Sequence, residues 1–396
     1  MTDSEFPTPD VEVEGIAAET LKENIDAGEE VFLLDNRTAE DVEEWAIDGE
    51  NVESLNVPYF DFLAGEPDEE VFEQLPDDQQ IVTLCAKGKS SEYVAGELVE
   101  RGYDAAYLED GMQGWARVFE YKEIDADTDA TVAQYQRPSS GCMSYLVVSG
   151  DEAAVIDPLR AFTDTYQQDA RALGADLKYA IDTHVHADHV SGVRALADEG
   201  VEGVLPAAAI DRGVTYDDAV TSAEDGDTFA VGDVEIETVF TPGHTSGMTS
   251  YLVDDAVLLT GDGLFAESVA RPDLEGGDEG APDAARQLYE SLQERILTLD
   301  DDVVVGGAHF SDAADTREDG TYTETIGNLT EKMDALTMDE DEFVELVLSD
   351  MPPRPANYEE VIATNLGQEE QTDEEAFELE LGPNNCAASS DAMTSD

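Results

Sequence analysis

The chain contains five histidines, and each stands where an imidazole could hold a metal: His184, His186, His189, His244 and His309. The first three lie in Thr183-His184-Val185-His186-Ala187-Asp188-His189, directly after an apolar run that reads as a strand. Alternate side chains of an extended segment share a face. His184 and His186 therefore point the same way, and Asp188 and His189 turn back towards the same pocket. Three imidazoles and a carboxylate within six residues exceed what packing requires. His244 follows Thr241-Pro242-Gly243, Asp262 follows Thr260-Gly261, and His309 follows Gly307-Ala308. Asp262 and His309 each come after an apolar strand-like run, so strand ends would bring these groups to one edge. Imidazole nitrogens with carboxylate oxygens are the donors that first-row transition metals and zinc prefer.

A second reactive pattern is Leu84-Cys85-Ala86-Lys87-Gly88-Lys89-Ser90-Ser91. A strand delivers the cysteine, a short glycine-containing loop follows, and a helix begins near Ser91. Backbone N–H groups and a helix N-terminus then face the sulfur, which favours a thiolate or persulfide anion over the thiol. Only six lysines occur in 396 residues, yet Lys87 and Lys89 lie within four positions of Cys85. That concentration suggests an anionic substrate.

The Cys85 block resembles a rhodanese domain. The matching pieces are Leu33-Leu34-Asp35-Asn36-Arg37-Thr38, Asn56-Val57-Pro58, the Cys85 loop, and Leu108-Glu109-Asp110-Gly111-Met112-Gln113-Gly114-Trp115. The resemblance implies that Cys85 carries sulfane sulfur, cradled by the amides of residues 86–90. It also places Arg37 at an arginine of the family's early strand motif, with Arg37, Lys87 and Lys89 as candidate substrate contacts. Asp48-Gly49-Glu50 departs from the family's Gly-His pair, a structural rather than chemical difference. Phosphatases of this fold carry Arg six positions after the cysteine; position 91 is Ser, which argues against that chemistry.

The histidine pattern is similar to the metallo-β-lactamase superfamily over roughly residues 130–350. All seven family ligand positions are filled, by His184, His186, Asp188, His189, His244, Asp262 and His309. The resemblance permits two centres. One is a single Fe(II) held by His184, His244 and Asp262, with His186, Asp188, His189 and His309 around it. The other is two Zn ions bridged by Asp262, as in glyoxalase II thioesterases. Three segments resemble the persulfide dioxygenases of the superfamily: residues 262–274, Gly141-Cys142-Met143-Ser144-Tyr145, and Pro352 through Gly367. They imply oxidation of a thiol persulfide by O2 to sulfite, coupled to sulfur transfer through Cys85 that could yield thiosulfate. Arg271 is then the candidate for the substrate's carboxylates. Cys142 reads as a core residue and Cys386 as a bystander in the tail. Such a fold also allows a homodimer.

The elements that must position these groups fall into two blocks and a tail. Residues 1–123 alternate strand runs (Val31–Leu34, Ile81–Leu84, Ala105–Leu108) with helices (Ala17–Ala27, Ser91–Arg101), the pattern of a parallel α/β sheet. A polar linker follows from Glu123. Residues 130–366 are dominated by strands with few helices, consistent with an αββα sandwich. The tail 367–396 carries seven acids between Glu369 and Glu380 and is expected to be mobile or loosely docked.

The formal net charge of −76 argues against nucleic acid and anionic membrane partners. Hydrophobic content of 41% still suffices for packed cores. Acids spread along the whole chain suit a halophile's cytoplasm, where molar salt shortens the Debye length to about 3 Å. Three cysteines fit a reducing compartment. The sequence shows no signal peptide and no run of 18 apolar residues.

Overall fold

The computed structural model describes residues 7, 9, 11–63, 67, 69–311, 313–349, 351, 354–382, 388 and 393. Cys386 lies outside the described residues. The chain divides into two compact units: the first takes the residues up to Phe119 with the short segments 137–140 and 381–382, and the second takes the rest.

In the first unit, five parallel strands stand in the spatial order Glu14–Ile16, Ala105–Leu108, Ile81–Leu84, Val31–Asp35, Val52–Asn56. Val31–Asp35 and Ile81–Leu84 are buried along their whole length, which explains their continuous apolar runs. One face packs Leu21, Leu33, Val82, Leu108 and Trp115. The other packs Phe32, Leu34, Ile81, Val94 and Leu98, the last two from the helix Lys89–Glu100.

The second unit has two sheets. The first has seven strands in the order Thr221–Ala223, Glu202–Pro206, Asp176–Ile181, Glu152–Ile156, Met143–Ser149, Thr131–Gln136, Glu120–Glu123. The second has six: Thr228–Val231, Val234–Phe240, Thr249–Val253, Val257–Gly261, Val304–Gly307, Thr323–Thr325. Their facing sides share one core that includes Val147, Ile156, Ile181, Val204, Ile236, Tyr251, Leu259 and Val304. Helices Gly277–Ser291, Ile326–Lys332 and Glu340–Ser349 cover the outer face of the second sheet through Leu258, Leu288, Leu329 and Phe343. Thr163–Ala172 and Val193–Asp198 lie on the first. This is the αββα arrangement.

Two sequence expectations are revised. The stretch read as a linker from Glu123 is a turn inside the second unit, because Glu120–Glu123 pairs antiparallel with Thr131–Gln136. The acidic tail contains a helix, Asp373–Leu379, begun by a capping box at Thr372 and Glu375. It is anchored by Ala376, Phe377 and Glu380, all buried. Among the described residues, no helix is long and apolar enough to cross a membrane.

Candidate metal centre and thiol site

The metal-binding side chains of the second unit hang from strand ends. Asp176–Ile181 runs into residues 182–191, a buried segment containing three of the histidines. Val257–Gly261 delivers Asp262 and the parallel neighbour Val304–Gly307 delivers His309. Gly261 is required there: its φ is +53°, and a Cβ would come within 2.3 Å of the Thr183 hydroxyl.

A buried loop must find partners for its backbone groups. The Thr183 N–H donates to Asp157 Oδ1 (2.7 Å), and the Val190 N–H to Glu380 Oε1 (2.9 Å). The Asn365 amide spans the loop: its Nδ2 donates to the carbonyls of His186 (3.0 Å) and His189 (2.8 Å), and its Oδ1 accepts from the Ser191 N–H (2.9 Å).

Hydrogen bonds fix which ring nitrogens remain available. The Thr183 hydroxyl has one proton and donates it to Asp157 Oδ2 (3.0 Å). Its contact with His184 Nδ1 (2.9 Å) must therefore be donated by the imidazole. His244 Nδ1 donates to the Arg271 carbonyl (2.8 Å). Both rings thus keep a lone pair on Nε2. His309 Nδ1 donates to Asp262 Oδ1 (2.5 Å), leaving Oδ2 as that carboxylate's open oxygen. His184 Nε2, His244 Nε2 and Asp262 Oδ2 are all buried without a hydrogen-bond partner. Asp262 Oδ2 lies 3.5 Å from His184 Nε2 and 3.4 Å from His244 Nε2. Donors about 2.1 Å from a common ion at near-tetrahedral angles stand about 3.4 Å apart. The residues fit a metal.

Protonation follows from these surroundings. Burial, with the charge of His186, pushes His184 down to about 4, so its imidazole stays neutral. Burial also lowers His244. His309 donates from both nitrogens, to Asp262 Oδ1 and to Asp188 Oδ2 (2.9 Å). Burial opposes its charge, but the two carboxylates overcome that and hold it well above the usual imidazole range.

Among the described residues two other groups could take an ion. Asp157, Asp182 and His186 form one, in which His186 Nε2 donates to Asp157 Oδ1 (3.0 Å). Cys142, Asp188, His189 and His309 form the other. Asp188 Oδ2 accepts there from Cys142 Sγ (3.2 Å) and His189 Nδ1 (2.8 Å), while His189 Nε2 stays buried and unpartnered. Cys142, read from sequence as a core residue, is thus a buried thiol within the polar cluster.

In the first unit, Cys85 ends its strand 4% exposed. Its carbonyl accepts from the Met112 N–H (2.8 Å), and a Cβ on Gly111 would come within 2.0 Å of that oxygen. Its Sγ lies 3.3 Å from the Ser91 hydroxyl, which also reaches the Gly88 carbonyl (2.9 Å). Burial raises the thiol pKa, but the hydroxyls of Ser90 and Ser91 and the amides of Ser91 and Lys87 outweigh it and bring the value below normal. The single Ser91 proton then turns from Gly88 to the sulfur when the thiolate forms.

The expected substrate contacts fare differently. Lys87 and Lys89 are exposed beside Cys85. Arg37 is buried, with Nε (3.1 Å) and Nη2 (2.6 Å) on the Asp35 carboxylate and Nη2 also on the Trp45 carbonyl (2.6 Å). Arg271 is 1% exposed and held by Asp273 through Nε (2.8 Å) and Nη2 (3.1 Å). Both guanidiniums are committed to internal carboxylates. Sequence reasoning gave no role to Asp157, Thr183 or Asn365. Asp157 carried a usable signal, since like Asp262 it follows an apolar strand run; Thr183 and Asn365 lie in segments already singled out by motif or resemblance, but their hydrogen bonds are made only in the fold.

The fold and its histidine edge define a class. Residues 138–309 match the family described as the metallo-beta-lactamase superfamily, and residues 17–118 match the rhodanese-like domain. The chain belongs to the metallo-β-lactamase superfamily and carries a rhodanese-like domain ahead of its metal-binding domain. Persulfide dioxygenase ETHE1, mitochondrial, of Bos taurus is 30% identical over 241 residues, covering 59% of this chain and 86% of that protein. The crystal structure of ETHE1 from Myxococcus xanthus aligns with a TM-score of 0.51 at 26% identity, over 60% of this chain and 98% of that one. Hydroxyacylglutathione hydrolase of Brucella anthropi is 34% identical over 167 residues, covering 40% of this chain and 60% of that protein.

Proposed function

We propose that this chain is a persulfide dioxygenase. It oxidises the terminal sulfur of a low-molecular-weight thiol persulfide with O2 at His184, His244 and Asp262, and moves sulfane sulfur through Cys85. The observation that carries the reading is the set of three buried donors without partners, His184 Nε2, His244 Nε2 and Asp262 Oδ2. Two imidazoles and one carboxylate suit a single Fe(II) with positions left open. The similarity to the persulfide dioxygenases of Bos taurus and Myxococcus xanthus supports it.

Bound there, Fe(II) would supply open coordination positions and redox chemistry for the persulfide and O2. The change balances as RSSH + O2 + H2O giving RSH, sulfite and two protons, with four electrons passing from sulfur to O2. The residues around the ligands set their availability. Asp157 acts through Thr183 to hold the tautomer of His184, and the Arg271 carbonyl does the same for His244. His309 occupies Asp262 Oδ1 and leaves Oδ2 for the ion. At Cys85 the Ser91 hydroxyl and loop amides stabilise a thiolate or persulfide anion, and Lys87 and Lys89 attract anionic sulfur compounds. Attack of sulfite on the Cys85 outer sulfur would form thiosulfate and return the thiolate.

The test is metal content and O2 uptake after anaerobic purification in molar KCl. About one iron per chain, with O2 uptake and sulfite release on adding glutathione persulfide, is the expected result. Cys85→Ser should lose thiosulfate:cyanide sulfur transfer and keep O2 uptake. One observation favours a second reading: Cys142, Asp188, His189 and His309 could take another ion. Two zincs per chain, no O2 uptake and brisk thioester hydrolysis would establish that hydrolase and overturn the dioxygenase.

A further inference from the structure

His184, His244 and Asp262 are each at most 1% exposed. An ion reaches or leaves them only when part of the chain around them moves. Residues 368–380 are suited to such a movement. They lie beyond the stretch 138–309 that matches the superfamily, and they carry seven acids and no base. Only Ala376, Phe377 and Glu380 among them are buried. Their helix, Asp373–Leu379, has seven residues, too few to persist in water on its own. Docking therefore decides whether it forms.

This segment grips the metal loop at one residue from two sides. Val190 directly follows His189. Its N–H donates to Glu380 Oε1 (2.9 Å), and its carbonyl accepts from the Arg160 N–H (2.9 Å). Asp373 Oδ1 in turn holds the guanidinium of that arginine, at 3.0 Å from Nε and 2.8 Å from Nη2. A third acid, Glu370, accepts from Arg194 Nη2 (2.9 Å) on the helix that follows the loop. These attachments differ in kind. The Asp373 and Glu370 side chains are 91% and 80% exposed, so salt screens their ion pairs and each stabilises little. Glu380 is buried and accepts from a buried N–H, a bond that salt barely reaches. The holds that survive high salt include this bond and the burial of Phe377.

We infer that residues 368–380 form a detachable strap on the metal loop, with Glu380 as its positioning residue, and that its release is the step by which a metal ion enters and leaves. The inference rests on the metal centre, whichever ion fills it, and is independent of the dioxygenase reading. A strap differs from a static support in its kinetics. Losing a support weakens the site, so release quickens and uptake does not. Losing a strap raises the open population of both the empty and the loaded protein. Uptake and release then quicken by a like factor, and Kd hardly changes.

The test uses Co(II), which imidazole and carboxylate donors accept in place of iron or zinc and which reports through its visible absorption. Full-length protein in molar KCl is followed by stopped flow for uptake and by competition with EDTA for release. Glu380→Ala should speed both about tenfold or more, as expected for loss of a buried hydrogen bond to a charged group. Phe377→Ala should do the same although it leaves Glu380 in place, and should also speed hydrogen exchange of the Val190 amide. Glu374→Ala, exposed on the same helix, should keep wild-type rates. Where a variant lacks a calorimetric transition, Glu380→Gln carries the test. It keeps an acceptor for the Val190 N–H and should give rates between those of wild type and a released strap. Faster release with uptake unchanged or slowed would make Glu380 a static support and overturn the strap. Wild-type rates in the variants, or no Co(II) binding by wild type, would overturn it as well.

Discussion

Asn365→Ala offers the sharpest check on how the metal loop is held. Asn365 is 6% exposed, and its amide satisfies three backbone groups of that loop. Each buried group left unpaired costs about 1–3 kcal/mol, so three set a ceiling near 9 kcal/mol. Alanine opens room for water, which can replace part of what is lost. The expected destabilisation is about 3–5 kcal/mol, large beside a total of roughly 5–15 kcal/mol. At about 2–4 °C per kcal/mol for a unit of this size, the calorimetric transition of the second unit should fall by about 10 °C. Asn365→Asp keeps the volume but sets a carboxylate oxygen against two carbonyls, and should be at least as harmful. Both tryptophans, Trp45 and Trp115, belong to the first unit, so their fluorescence provides an internal reference transition. The loosened loop should also bind its metal more weakly in chelator competition. A loss below about 1 kcal/mol with metal affinity intact would refute the claim that these hydrogen bonds hold the loop.

Thr183→Val removes the link between His184 and Asp157 and should cost about 10–100-fold in metal affinity, whereas Thr183→Ser should retain it; chelator competition decides. Ser91→Ala removes a hydroxyl that favours the Cys85 thiolate, so the midpoint of its alkylation rate against pH should move up from a wild-type value below that of a free cysteine. A midpoint that stays put would mean the loop amides alone set it. The net charge of −76 should make folding salt-dependent, with the unfolding midpoint rising from dilute buffer to molar KCl as repulsion is screened. Equal stability in both would count against adaptation to high salt.

Much of the molecule was legible because its signals are local. Buried strands show as continuous apolar runs, and Val31–Asp35, Ile81–Leu84 and Ala105–Leu108 lie where those runs place them. Thr131–Gln136 and Glu202–Pro206 were not singled out; polar Gln134 and Gln136 are buried in the first, and besides bonding each other their amides reach the Tyr322 and Gly320 carbonyls, far along the chain. The histidines and Cys85 declared their chemistry by residue type and spacing, since metal binding and thiolate chemistry depend on few side chains.

What the sequence could not contain was the state of each donor atom. That Asp262 Oδ2 is open and Oδ1 is closed depends on His309, 47 residues away. The loop that carries His186 is held by Asn365, 179 residues downstream. Arg37 and Arg271 look available to a substrate as letters, yet internal carboxylates hold both. Residue type and local pattern determine which groups are present and which elements carry them. Tertiary packing decides which lone pairs and charges are left unspent, because even the local pairs of Arg37 and Arg271 form only where the fold buries them, and the bonds of His309 and Asn365 come from far off in the chain.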